Sequence, residues 1–189
     1  LKETTHMTAL ITDILMISRL EGNDVVEKKT DIALRPAVEE LCKSFTPMAN
    51  EHRVMLEMQC ETLCVHMSQK HVEQLIGNLI SNAIKYNHEG GTVDVLIRRQ
   101  ENLLVITVED SGIGISKEDE KHIFERFYRV DKGRSRKIGG TGLGLSIVKH
   151  IARYYHGKID LFSRENIGTT ITITLPDVIV DESSADQAA

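Results

Sequence analysis

The stretch Gly139-Gly140-Thr141-Gly142-Leu143-Gly144-Leu145 constrains this chain more than any other, because it runs straight into an apolar-periodic segment, Ser146 to Tyr155. Seven of the thirteen glycines lie between Gly112 and Gly144. Glycine lets a backbone approach a ligand closely and take positive φ at no steric cost. A helix N-terminus gathers unpaired N–H groups and a partial positive charge. Together these features predict an anion site, with phosphate as the natural occupant. A flexible surface loop fits the same glycines, so the rest of the chain must decide.

The chain has 189 residues, enough for one domain with a core and an appendage. A net charge of −5 argues against broad nucleic-acid binding. Cys42, Cys60 and Cys64 make an odd count without a signal peptide, which predicts reduced thiols. Cys60, Cys64, His66 and His71 lack CxxC spacing, and Cys60 and Cys64 read as flanking a strand-to-strand turn rather than as part of a metal cluster. No apolar run reaches the ~20 residues of a membrane span. The first residue is Leu1, so a fragment of a longer protein is expected.

Residues 1–22 read as one amphipathic helix with Met7, Leu10, Ile11, Ile14, Leu15, Ile17 and Leu20 on its apolar face, stopped by Gly22-Asn23. Residues 25–178 read as the main domain, and 179–189 as a flexible tail. A weak strand over Val25 to Ile32 precedes a helix over Ala37 to Ala49. Val54, Leu56 and Met58, then Leu63, Val65 and Met67, mark two strands joined by a short turn, and Ser68 is placed to cap the next helix.

That helix, about Gln69 to Tyr86, carries Asn78, Asn82 and Lys85 at i, i+4 and i+7, one stripe beside the apolar face. Asparagine is disfavoured inside helices. Amide oxygens suit Mg²⁺ and a Lys ammonium suits phosphate, although a solvated polar face would show the same stripe. After Glu89-Gly90-Gly91, two further strands carry Val93, Val95 and Ile97, then Leu104, Ile106 and Val108. Asp110 is in phase with the second set, so a carboxylate points toward the core at a strand end. It needs donors there, and an amino-purine edge supplies them. An Asp cap on the Ser111-Gly112 turn is the alternative. A short helix capped by Ser116, a basic loop Lys132 to Lys137, a last helix Thr141 to Tyr155, and strands from Ile159 and from Thr169 to Leu175 complete the pattern.

A P-loop is excluded because no Gly-Lys-Ser/Thr follows the glycines, and GxGxxG is broken at Gly140, Gly142 and Leu145. The motifs resemble those of the sensor histidine kinases of two-component systems, of the EnvZ, PhoR and WalK kind. Asn78 to Tyr86 is similar to their Asn box and Asp110 to Ile115 to their first Gly box. Phe124 to Arg129 is similar to their Phe box and Gly140 to Leu145 to their second Gly box. Leu10 to Gly22 resembles the end of their second dimerisation helix.

The resemblance implies an α+β fold: a two-layer α/β sandwich of the Bergerat ATP-binding type, with a mixed sheet on three helices and an N-terminal amphipathic helix. It implies that Asn82 holds Mg²⁺ with Asn78 assisting, and that Lys85 and Tyr86 line the nucleotide. Asp110 would accept from the adenine amino group in a pocket shaped by Gly112 and Gly114, with Ile115, Phe127 and Thr170 nearby. Arg129 would face the γ-phosphate, and Gly140, Thr141, Gly142, Leu143, Gly144 and Leu145 would hinge a lid beginning near Ile115. Asn78, Lys85 and Arg129 are the expected catalytic set, and ATP and Mg²⁺ the expected cofactors.

The implied activity is transfer of the γ-phosphoryl group to a histidine for relay to a response-regulator aspartate. The implied setting is a homodimer joined by its dimerisation helices, the cytoplasmic portion of a membrane-bound bacterial sensor. The family's phosphoacceptor His box does not occur in this sequence. His6 is followed by Met7-Thr8-Ala9, without the acid or the proline, so the chain is expected to bind ATP without phosphorylating itself. An ATP-hydrolysing switch of the gyrase or Hsp90 kind is the alternative. Asn78 argues against it, because it stands where those relatives carry a water-activating Glu.

Overall fold

Alternating apolar residues and amphipathic helices build two layers in the computed structural model, which describes residues 27–130 and 141–180. The expected N-terminal helix, His6, the basic loop and the tail from 181 lie outside these residues. In chain order the elements are β1 (Thr30–Ala33), α1 (Leu34–His52), β2 (Met55–Cys60), β3 (Cys64–Met67), α2 (Gln69–Lys85), β4 (Thr92–Gln100) and β5 (Leu103–Asp110). A 3₁₀ turn (Asp119–Lys121), α3 (Gly144–Tyr154), β6 (Lys158–Arg164), β7 (Gly168–Pro176) and β8 (Ile179–Val180) follow. The main sheet has the order β2-β4-β5-β7-β6, with β2 parallel to β4 and every other pair antiparallel.

The period-2 pattern puts Val93, Val95 and Ile97, Leu104, Ile106 and Val108, and Ile171, Ile173 and Leu175 on one buried face. Against it pack Leu75, Ile76, Leu79, Ile80 and Ile84 of α2, and Ile147, Val148 and Ile151 of α3. Each such buried aliphatic side chain contributes about 1.5–3 kcal/mol. This is the mixed sheet on helices that the family resemblance implies. Cys42 and Cys60 are buried thiols in this structure. Burial pushes each up to about 11, so neither is a nucleophile at neutral pH.

The two strands joined by the short turn lie in different sheets: β2 joins the main sheet beside β4, while β3 sits between β1 and β8 in a separate antiparallel sheet. Alternation reveals which face a strand buries but not which neighbour it takes. Three expectations are corrected. Strand β8 carries the fold to Val180, past the expected boundary at 178. The last helix begins at Gly144 rather than Thr141. Ser68 stands at the N-cap of α2, but its side chain makes no capping bond.

Its backbone N–H donates instead to the Tyr155 hydroxyl, at 3.0 Å, and that hydroxyl also meets His71 Nδ1 at 3.0 Å. Tyr155 thus joins the C-terminal end of α3 to the start of α2. His71 is fully buried, and burial lowers its pKa. The unfolded chain therefore binds more protons below the unfolded value of 6.5, so this histidine's contribution is complete above that pH and lost as the pH falls. Tyr155→Phe leaves a buried N–H and a buried imidazole nitrogen without their partner. We expect a loss of about 1–3 kcal/mol in urea unfolding. An unchanged midpoint would mean that this junction does not hold the layers together.

Candidate functional site

The helical stripe and the strand end predicted from sequence meet at one cavity of about 400 Å³, a volume within the usual range for small-molecule sites. One wall is α2, with Asn78, Asn82, Lys85 and Tyr86. The floor is the end of the main sheet, with Val108, Asp110, Thr169 and Ile171. The turn after β5 supplies Ile113, Gly114 and Ile115, and the start of α3 supplies Gly144 and Leu145, preceded by Thr141 and Gly142. Tyr128, Arg129 and Val130 close the remaining side.

Asp110 ends β5 with its carboxylate toward the cavity because it shares the face of Ile106 and Val108. Burial raises its pKa to about 6. Backbone N–H groups of Gly112, at 2.9 Å from Oδ1, and of Thr169 pull the other way. The result is a largely buried acceptor that is ionised above about pH 6 and still has room for a donor from the cavity.

The turn is held in place by Ile113 N–H donating to Tyr86 O, Asn166 N–H donating to Ile113 O and Ile115 N–H donating to Ser163 Oγ. Gly114 sits at φ +66°, and a Cβ there would lie 2.1 Å from Arg164 O. Gly114→Ala combines a disfavoured backbone with a clash against main chain, so we expect a loss of at least about 1–3 kcal/mol in urea unfolding and weaker binding of whatever ligand the cavity takes. Wild-type values for both would remove the turn from the site.

The α2 stripe carries the polar wall. Asn78 Nδ2 donates to Gln74 O at 2.8 Å, which fixes the amide and leaves Oδ1 toward Gly144. A Cβ on Gly144 would meet that oxygen at 2.8 Å, so the first residue of α3 is seated on Asn78. Asn82 lies one turn further on and forms no side-chain hydrogen bond among the described residues. A neutral amide oxygen suits a hard cation that completes its shell with water and other oxygen ligands. At the far side Asp119 accepts from Tyr128 Oη at 2.5 Å and from Ser116 Oγ at 2.7 Å; these hydroxyls, Ser116 first, hold its pKa below the ordinary value.

Of the residues expected from sequence, Asn78, Asn82, Lys85, Tyr86, Asp110, Gly114, Ile115, Arg129, Thr141, Gly142, Gly144 and Leu145 line the cavity. Four do not. Gly112 stands behind Asp110 and offers it an N–H. Phe127 has φ +62° and a side chain that is 59% exposed; its N–H donates to Gly142 O instead. Leu143 is fully buried in the core. Thr170 points to the other face of the sheet, and Thr169, in phase with Ile171, takes the cavity position. Gly140 lies outside the described residues. The sequence reading missed Thr169, Ser116, Asp119 and Tyr128 as lining residues; only Thr169 carried a signal, its phase with Ile171 and Ile173.

Known proteins are similar to this chain in sequence and in fold. Residues 67–179 match the family described as histidine kinase-, DNA gyrase B-, and HSP90-like ATPase. The chain is 39% identical over 189 residues to the sensor histidine kinase WalK of Bacillus subtilis (strain 168), covering 98% of this chain and 31% of that protein. It therefore spans about a third of the length of that curated relative. Among solved structures, full-length ShkA in complex with AMPPNP superposes with a TM-score of 0.83 at 20% identity, over 95% of this chain and 37% of that one. The histidine kinase ThkA in complex with the response regulator protein TrrA gives 0.72 at 24% identity, over 93% and 48%. At these identities the two structures speak for the fold. The family match spans more than half of the chain and contains every residue that lines the cavity, so the chain belongs to the histidine kinase-, DNA gyrase B- and HSP90-like ATPase family.

Proposed function

We propose that this chain binds Mg-ATP in the cavity and donates the γ-phosphoryl group to a histidine on a dimerisation helix, for relay to a response-regulator aspartate. The observation that carries this reading is the absence, among the described residues, of a disengaged carboxylate on the α2 wall. Asp110 is held by two backbone N–H groups, Asp119 by two hydroxyls, and Glu165 lies on the β6–β7 turn beside Gly114. The position suited to a water-activating base is Asn78, whose amide cannot take a proton. A site that positions and neutralises phosphates without a base favours transfer to an incoming nucleophile over hydrolysis.

In this reading Asp110 accepts from the adenine amino group, and Gly114 lets the base approach the turn. Lys85 and Arg129 offset phosphate charge, and the N–H groups opening α3 at Gly144 receive phosphate oxygens. Asn82 holds Mg²⁺, with Asn78 fixed beside it. The ion supplies charge neutralisation along the phosphates. The reading extends to a homodimer joined through the dimerisation helices of the full-length protein, and to the cytoplasmic portion of a membrane-bound sensor. Among the described residues no helix is long and apolar enough to cross a membrane.

The test joins the chain to a helix bearing a phosphoacceptor histidine and supplies γ-³²P-ATP. We expect acid-labile, alkali-stable label on the histidine, and none on the 189-residue chain alone. Rapid release of free phosphate with no labelled protein would support the hydrolase instead.

A further inference from the structure

The β6–β7 hairpin behind the cavity carries a buried hydroxyl pair that the proposed chemistry does not use. Ser163 is 3% exposed and Thr169 is 9% exposed. Ser163 Oγ has three partners: Ile115 N–H at 2.9 Å, Gly168 O at 3.0 Å and Thr169 Oγ1 at 2.9 Å. A hydroxyl has one proton to give and two lone pairs to offer. The carbonyl of Gly168 can only accept, so the Ser163 proton goes there. The N–H of Ile115 can only donate, so it takes one lone pair. The second lone pair must then receive the Thr169 proton. The direction of the chain is fixed: Thr169 O–H to Ser163 O–H to Gly168 C=O.

This direction matters because Thr169 lines the cavity beside Asp110. With its proton committed to Ser163, the Thr169 hydroxyl has none to give the cavity. Ionised Asp110 also only accepts. This end of the cavity therefore asks its occupant for donors and has no proton to return.

The geometry points to Ser163 as a specificity-determining positioning residue: by holding the Thr169 proton it makes the base end of the cavity acceptor-only and so excludes 6-oxo purines in favour of 6-amino purines. This inference rests on the proposal that the cavity binds ATP. A 6-amino group gives hydrogens to acceptors, whereas a 6-oxo group would face two acceptors and leave buried lone pairs opposed. Without Ser163 the Thr169 hydroxyl turns freely and donates to a 6-oxo group.

The test measures dissociation constants of ATP and inosine triphosphate, which carries a 6-oxo group and a proton on N1, for the 189-residue chain and its variants. We expect Ser163→Ala to narrow the preference for ATP over inosine triphosphate by about tenfold, the scale of one relaxed hydrogen-bond mismatch. The Ser163→Ala/Thr169→Val double variant should return to the preference of Thr169→Val alone, because the donor that Ser163→Ala releases is gone. Ser163→Cys preserves the side chain's shape with a weak hydrogen-bonding atom. It should shift the preference in the same direction and serves if the alanine variant does not fold. Equal weakening of both nucleotides in Ser163→Ala or Ser163→Cys would reduce Ser163 to a structural role and overturn the inference while leaving ATP binding intact. A narrowed preference that persists in the double variant overturns it too. A wild-type chain that binds no ATP would sink the proposed function and the inference together.

Discussion

Asp110→Asn is expected to weaken ATP binding by about 10- to 150-fold, the equivalent of about 1.5–3 kcal/mol for a charged hydrogen bond lost at a buried site. The substitution preserves shape and changes only what the group can do. The carboxylate is held by Gly112 N–H and Thr169 N–H and keeps acceptor capacity toward the cavity. An amide in its place must turn its NH₂ either against one of those backbone donors or against the adenine amino group. The second arrangement favours a 6-oxo purine, so ATP affinity falls while inosine triphosphate affinity holds or rises. Isothermal titration with the two nucleotides checks this. An unchanged ratio with unchanged ATP affinity would remove Asp110 from base recognition.

The same carboxylate makes binding depend on pH in a calculable direction. Burial raises Asp110 from 3.8 to about 6. Only the ionised form is a pure acceptor, so bound adenine draws the pKa down. ATP affinity should therefore fall as the pH drops through about 6, by about tenfold at pH 5 relative to its plateau. Asp110→Asn lacks this step, and subtracting its profile removes the titration of the nucleotide's own phosphates. In the ligand-free chain the sign is that of a group whose folded pKa is raised. The folded state takes up the proton first, so Asp110's contribution to stability improves as the pH falls from about 6 toward 3.8. A wild-type affinity profile parallel to that of Asp110→Asn would contradict the assignment.

Residues at the site were legible from sequence where one element's own period decides their direction. Asp110 could be placed because it shares the phase of Leu104, Ile106 and Val108 along β5, and Asn78, Asn82 and Lys85 because α2 keeps a helical period over its whole length. The same rule locates the error at Thr170. In the run Thr169 to Leu175 the inward set is Ile171, Ile173 and Leu175, and Thr169 is in phase with it. What was not legible depends on partners distant in sequence. Nothing in Leu63 to Met67 says that β3 turns away from β2 to lie between β1 and β8. Tyr155 meets Ser68 and His71 across more than eighty residues, and Ser163 becomes informative only once Ile115 and Thr169 are placed beside it. Phe127 had the right segment but the wrong atom: its backbone seats Gly142, and its ring lies outside.

Asn82→Ala is expected to abolish most of the Mg²⁺ dependence of nucleotide binding. Asn82 faces the cavity, and its side-chain amide is unengaged among the described residues, so its oxygen is the cavity-facing ligand that α2 can present to the ion. Asn78 is held by its Nδ2 bond to Gln74 O, which aims its own amide oxygen at Gly144. Mg²⁺ takes one or two protein oxygens and fills its octahedron with phosphate and water, so removing the Asn82 amide removes a large part of the protein's hold on the metal. In wild type, adding Mg²⁺ should tighten ATP binding and enable phosphoryl transfer. In Asn82→Ala the tightening should shrink to near unity and transfer should fall by about 100-fold or more, while binding of metal-free ATP changes little because Asp110 and the glycine turn are untouched. This pattern separates a metal ligand from a structural residue, whose loss would weaken both forms alike. A variant that preserves the full Mg²⁺ enhancement would place the ion elsewhere on the phosphates and leave the Asn78–Asn82 stripe as part of the wall alone.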